Sequence, residues 1–135
     1  MITPIADDES VLTIRAMNTV LYCQYYAQTL IFYEQILGLP RTFSKDWLVE
    51  FQVAAAAFLS VADQRRASID SAHGKGLTLT FQVDDARASH EQLCARGATV
   101  TVLGPRPWDA QGFLLHDPEG TRIEIWAPSA SNDTC

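Results

Sequence analysis

The chain has 135 residues, a single-domain length, and its 47% hydrophobic and 19% charged residues suffice for one packed core. A formal net charge of −6 argues against nucleic acid and anionic membranes as partners, since both reward basic patches. No apolar run approaches the roughly 20 residues of a membrane helix, and the acidic start "MITPIADDES" does not read as a secretion signal.

In chain order, residues 1–10 are a polar lead-in. Val11 to Cys23 is rich in Val, Ile, Thr and Tyr and reads as a strand. "YYAQTLIFYEQILG" reads as a helix: Tyr26, Leu30, Tyr33 and Leu37 recur at helical spacing, and Gly38 is a suitable stop. Its start is poorly marked, because Gln24 and Tyr25 are weak caps. "WLVEFQVAA" alternates, with Trp47, Val49, Phe51 and Val53 on one side and Leu48, Glu50 and Gln52 on the other, the signature of a strand. "AAFLSVAD" reads as another. Residues 64–75, polar and of mixed charge, form the main linker.

"GLTLTFQV" is again a strand, and "DDARASHEQLCARG" a helix capped by Asp84 or Asp85 and stopped by Gly97. "ATVTVL" is expected to be a strand. "GPRPWDAQG" is a loop stiffened by Pro105 and Pro107. "FLLHDPEGTRIEIWA" is a hairpin with Asp-Pro-Glu-Gly at its turn, and the tail 129–135 is a loose end. The order β-α-β-β-β occurs twice. The expected architecture is therefore α+β: one domain spanning 1–135, with module one about 11–63, the linker, and module two about 76–128.

Cys23, Cys94 and Cys135 are far apart and odd in number, with no CxxC. This argues against a disulfide framework and a zinc site and suits a reduced, cytoplasmic setting. No GxSxG, phosphate-binding loop or dinucleotide fingerprint is present. Of the histidines, His73 falls in the linker and His90 on the second helix. His116 precedes the turn and, by alternation, shares a face with Leu114 and Gly112. Glu124 raises a sharper question, because Ile123 and Ile125 flank it within a strand. Either it faces water, or it faces a cavity where a carboxylate has work to do.

"FYEQILGLP", "GLTLTFQVDD" and "GFLLHDPEGTRIEIWAP" resemble, in that order and spacing, the vicinal oxygen chelate superfamily of glyoxalases, bleomycin-resistance proteins and extradiol dioxygenases, over about residues 11–128. The resemblance implies two βαβββ modules whose curled sheets enclose a cavity, and commonly a homodimer. In active members four inward positions, typically His, Gln or Glu, hold a divalent metal. Carried over here, those positions fall on Asn18, Ser60 (Leu59 if the register slips by one), Thr78 and Glu124. One carboxylate with an amide and two hydroxyls would hold a transition metal poorly. The expected cofactor is therefore none, the alternative being one divalent ion with Glu124 in its shell.

Bleomycin-resistance proteins are the members this pattern resembles: short dimers without catalytic metal that bind and sequester a drug. The leading reading is a small-molecule binding protein, holding an aromatic or cationic compound such as an antibiotic. The alternative is a metal-dependent lyase, isomerase or dioxygenase with an atypical site, Glu124 being the best catalytic candidate. Strand alternation around the carried-over positions gives the candidate ligand contacts Asn18, Val20, Tyr22, Ser60, Thr78, Thr80, Leu114, His116, Glu124 and Trp126, with Trp108 over the mouth. Trp47 suits a core or interface role, and so does Trp126, with ligand contact as its alternative. Without a metal, a buried Glu124 needs a donor: a cationic ligand, Asn18 or Arg122. The expected partners are a small molecule and a second copy of the chain.

Overall fold

The structure is a computed structural model that describes residues 11–129. The lead-in 1–10 and the tail from residue 130, with Cys135, lie outside the described residues. Module one contains β1 (Met17–Cys23), α1 (Tyr26–Ile31) running into a π-helical turn (Phe32–Ile36), β2 (Arg41–Lys45), β3 (Leu48–Ala54) and β4 (Ala57–Asp63). Module two contains β5 (Thr78–Gln82), α2 (Ala86–Ala95), β6 (Gly104–Pro105), β7 (Ala110–His116) and β8 (Arg122–Pro128). The sheet orders are β1-β4-β3-β2 and β5-β8-β7-β6. Each begins with a parallel pair and continues with antiparallel neighbours. The chain is thus one α+β unit used twice. No described helix is long and apolar enough to cross a membrane.

Alternation sorts the sheets into two faces. Val49, Phe51, Leu59 and Val61 of sheet one, and Phe113, Leu115, Ile123 and Ile125 of sheet two, are buried in one core cluster with Tyr33 and Leu93 of the helical segments. Tyr33 lies 6.4 Å from Phe51, and His90 of α2 meets Phe113 edge-on at 4.8 Å, so this is the helix-bearing face. The residues between them face the other way, onto what is here called the open face.

The weakly marked start of α1 has its cap elsewhere in the chain. Gln24 and Tyr25 donate their backbone N–H groups to the two carboxylate oxygens of Glu119, at 2.7 and 2.8 Å. Glu119 belongs to the Asp-Pro-Glu-Gly turn of module two, and Ser71 of the linker also donates to it. A carboxylate just ahead of the first helical turn satisfies N–H groups at the helix start and opposes the positive end of the helix dipole. Next to it, Tyr33 Oη donates to Asp117 Oδ2 at 2.7 Å, while Asp117 Oδ1 accepts from Glu119 N and Thr121 N. The turn therefore fastens the two modules together.

The second helix has its cap nearby: Asp85 accepts from Ala88 N at 3.0 Å, and Gly97 takes a φ of 86° beyond the last turn. Three strand expectations change. β1 starts at Met17, so residues 11–16 precede it. The expected strand over 98–103 is not formed: the Thr101 side chain accepts from Leu114 N where a ladder carbonyl would, and the short β6 lies beyond that segment, at the start of the expected loop. β2 carried no alternation because all five of its residues are exposed at the sheet edge.

Candidate functional site

The open face of sheet two carries Thr78, Thr80 and Gln82 from β5, Arg122, Glu124 and Trp126 from β8, and Gly112, Leu114 and His116 from β7. Glu124 points away from its core neighbours Ile123 and Ile125, yet it is only 7% exposed. The loop before β7 covers it. Pro105 and Pro107 bias the residues before them toward extended backbone. Arg106 and Trp108, two positions apart, both reach onto the open face. Arg106 Nη2 lies 2.6 Å from Glu124 Oε2, and the Trp108 ring meets Trp126 edge-on at 5.5 Å.

Arg106, rather than Asn18 or Arg122, is thus the partner of Glu124. Arg122 instead donates its Nε to Thr78 Oγ1 at 2.9 Å. Arg106 is not fully used by the contact: its Nε is buried and has no hydrogen-bond partner among the described residues. Gly112 permits the close approach of β7 to β8, since a Cβ there would stand 3.0 Å from Trp126 Cβ and 2.6 Å from Ile125 O.

On the open face of sheet one, Ser60 Oγ donates to Asn18 Oδ1 at 3.1 Å. Ser60 is therefore the residue on this face, and Leu59 lies in the core. Val20 and Tyr22 share the face with Asn18. Glu50, between Ser60 and Phe43 in the sheet, joins the group through Asn18 Nδ2 at 3.4 Å and Thr42 Oγ1 at 2.8 Å. The two modules repeat one offset: Asn18 is two registers from Ser60, as Thr78 is from Glu124.

The candidate residues thus divide by module, Asn18, Tyr22 and Ser60 on sheet one and Thr78, Leu114, His116, Glu124 and Trp126 on sheet two. His116, exposed at the end of β7, lines a depression of about 540 Å³ with Thr78 and Arg122. A cavity of about 530 Å³ between the modules is lined by Leu37, Phe58, Phe81, Leu93 and Ile125 among others, and by neither Ser60 nor Glu124. Trp47 lies under Lys45, whose ammonium is 4.5 Å from the ring centroid, at the β2–β3 turn.

A divalent metal does not suit these donors. Glu124 already has a guanidinium against it, and Asn18, Ser60 and Glu50 are bonded to one another or to Thr42. Among the described residues no three His, Cys, Asp or Glu side chains gather. Imidazole and carboxylate donors, which give affinity for such ions, are too few here.

Residues 15–125 match the Glyoxalase/Bleomycin resistance protein/Dioxygenase superfamily. The chain belongs to it. Solved structures with a similar fold include TnmS3, an antibiotic binding protein from Streptomyces sp. CB03234. It is 19% identical, with a TM-score of 0.73 over 90% of this chain and 100% of that one. A glyoxalase/bleomycin resistance protein/dioxygenase from Nocardioides gives 17% identity and a TM-score of 0.73 over 93% and 89%. Lactoylglutathione lyase from Agrobacterium tumefaciens gives 20% and 0.67 over 82% and 91%. At these identities the likeness is one of fold. No curated protein matches the chain.

Sequence reasoning placed Glu124 on its face but missed Arg106 and Glu50. Glu50 was visible in the alternation of β3, opposite Val49 and Phe51. The signal for Arg106 was weaker: a cation between two prolines, in the same stiff loop as Trp108.

Proposed function

We propose that this chain is a small-molecule binding protein of the superfamily, one that sequesters or carries an aromatic compound. The observation that carries this reading is the Arg106–Glu124 ion pair on the same face as the Trp108–Trp126 rings. A carboxylate neutralised by an internal guanidinium is a poor metal ligand and a poor general base. The same pair beside two indole rings is well suited to binding, since aromatic surface supplies affinity and a few polar groups supply orientation. The fold shared with an antibiotic binding protein supports this reading, and an antibiotic is the class of ligand it suggests.

A homodimer belongs to the same reading. Val11, Leu12, Ile14, Met17 and Phe43 are large apolar side chains exposed on one chain, and β1, β2, β5 and β6 are sheet edges. A second copy would cover them and could bring the open face of one sheet toward that of another.

The test is a thermal-shift and tryptophan-fluorescence screen of uncharged and charged aromatic compounds against the wild type and Trp108→Ala. The reading expects compounds that raise the melting temperature and quench fluorescence, with both effects reduced in the variant. Stabilisation by zinc, nickel or manganese but by no aromatic compound would contradict it.

A further inference from the structure

We infer that the ligand of this face is an aromatic anion, a planar ring system bearing a carboxylate, phenolate or sulfonate oxygen, recognised by Arg106 and Arg122. The inference rests on the binding reading above and goes further, to the charge of the bound molecule.

Charge points to an anion. The open face of sheet two, with the loop side chains folded over it, carries two arginines, Arg106 and Arg122, against one carboxylate, Glu124. These three groups leave one positive charge unmatched, on a chain whose formal net charge is −6. Arg122 is exposed, and the partner it has is a neutral hydroxyl, Thr78 Oγ1. A free carboxylate would have invited a cation, but Glu124 has its counter-ion within the chain.

Hydrogen bonding points the same way. A guanidinium offers five N–H donors and no acceptor. One nitrogen of Arg106 lies against Glu124, and Nε is buried with nothing among the described residues to accept from it. A buried donor without a partner is costly and rare, so the Arg106 guanidinium is short of an acceptor. A planar carboxylate or sulfonate fits a guanidinium fork better than a single lysine charge. The Trp108–Trp126 pair beside it gives the attached ring an aromatic wall.

The experiment uses three probes of one shape: 2-naphthoate, neutral 2-acetylnaphthalene and cationic 2-(aminomethyl)naphthalene. Each is titrated into the full chain by calorimetry and tryptophan quenching. The naphthoate is expected to bind at least about tenfold tighter than the amine and to weaken with added salt, as a charge-assisted contact should. Arg122→Gln, at an exposed position, is expected to lower naphthoate affinity about two- to fivefold, the range of one partly screened charge contact, and to leave the neutral ketone unchanged. Glu124→Gln frees Arg106 of its internal competitor and is expected to raise naphthoate affinity. If that variant does not fold, the probe ranking and Arg122→Gln decide. An amine that binds as tightly as the naphthoate overturns the anion inference while leaving the binding reading intact. Binding of none of the three overturns both.

Discussion

Glu119 supplies α1 with a cap from the far end of the chain. Removing its carboxylate leaves the N–H groups of Gln24 and Tyr25 and the hydroxyl of Ser71 without an acceptor at a site 5% exposed. Glu119→Ala is expected to cost about 2–3 kcal/mol, the scale of lost charge-assisted hydrogen bonds, measured as a lower midpoint in urea. An unchanged midpoint would show that the contact is incidental. Cys23 lies in the same neighbourhood. Burial, then the charges of Glu119 and Asp117, push its thiol up to about 12. In the unfolded chain it ionises near its ordinary 9.0, so its contribution to stability is intact below pH 9 and declines from there toward about 12. Cys23→Ala should flatten the alkaline loss of stability over that window. Iodoacetamide at pH 8 should modify exposed Cys94 and spare Cys23 until the chain unfolds, and rapid native modification of Cys23 would refute its placement. At this scale the sequence showed which way Glu124 points, because period-two alternation places it opposite Ile123 and Ile125. It did not show what meets Glu124, since Arg106 arrives from a loop with no periodicity.

Among elements, the loop before β7 and the glycine beneath its aromatic pair determine the shape of the open face. Gly112 allows the β8 backbone at Ile125 and Trp126 to approach β7 closely, and the Trp126 ring in turn receives Trp108. Gly112→Ala places a methyl against Ile125 O and Trp126 Cβ, and such overpacking costs about 1–3 kcal/mol. The expected result is a lower melting temperature together with weaker quenching by 2-naphthoate. A variant with wild-type quenching would mean that Trp126 does not help form the site. The elements with a buried and an open side, β3 and β8, were legible from alternation. β2 was not, because an edge strand exposed at every position leaves no such pattern. The 98–103 segment misled for another reason: it is rich in β-branched residues, but the Thr101 hydroxyl takes a backbone bonding position. Propensity describes the residues of a segment, whereas pairing depends on what lies beside it.

For the whole molecule, the repeat of one strand order in both sheets explains why the fold could be anticipated although the two halves are dissimilar in sequence. The same repeat leaves four sheet edges and several exposed apolar side chains on a single chain. The expected assembly is a homodimer burying more than roughly 1,200 Å² in total, the lower end for stable interfaces. Light scattering at micromolar concentration checks it, and a monomer mass would count against it. The central claim is that this chain binds an aromatic small molecule through the Arg106–Glu124 and Trp108–Trp126 surface without a metal. Its most direct test is calorimetric titration of 2-naphthoate into the full chain, once with EDTA present and once with added zinc. The account predicts saturable binding with the same affinity in both. Binding that appears only with zinc, or no binding in either, would contradict it.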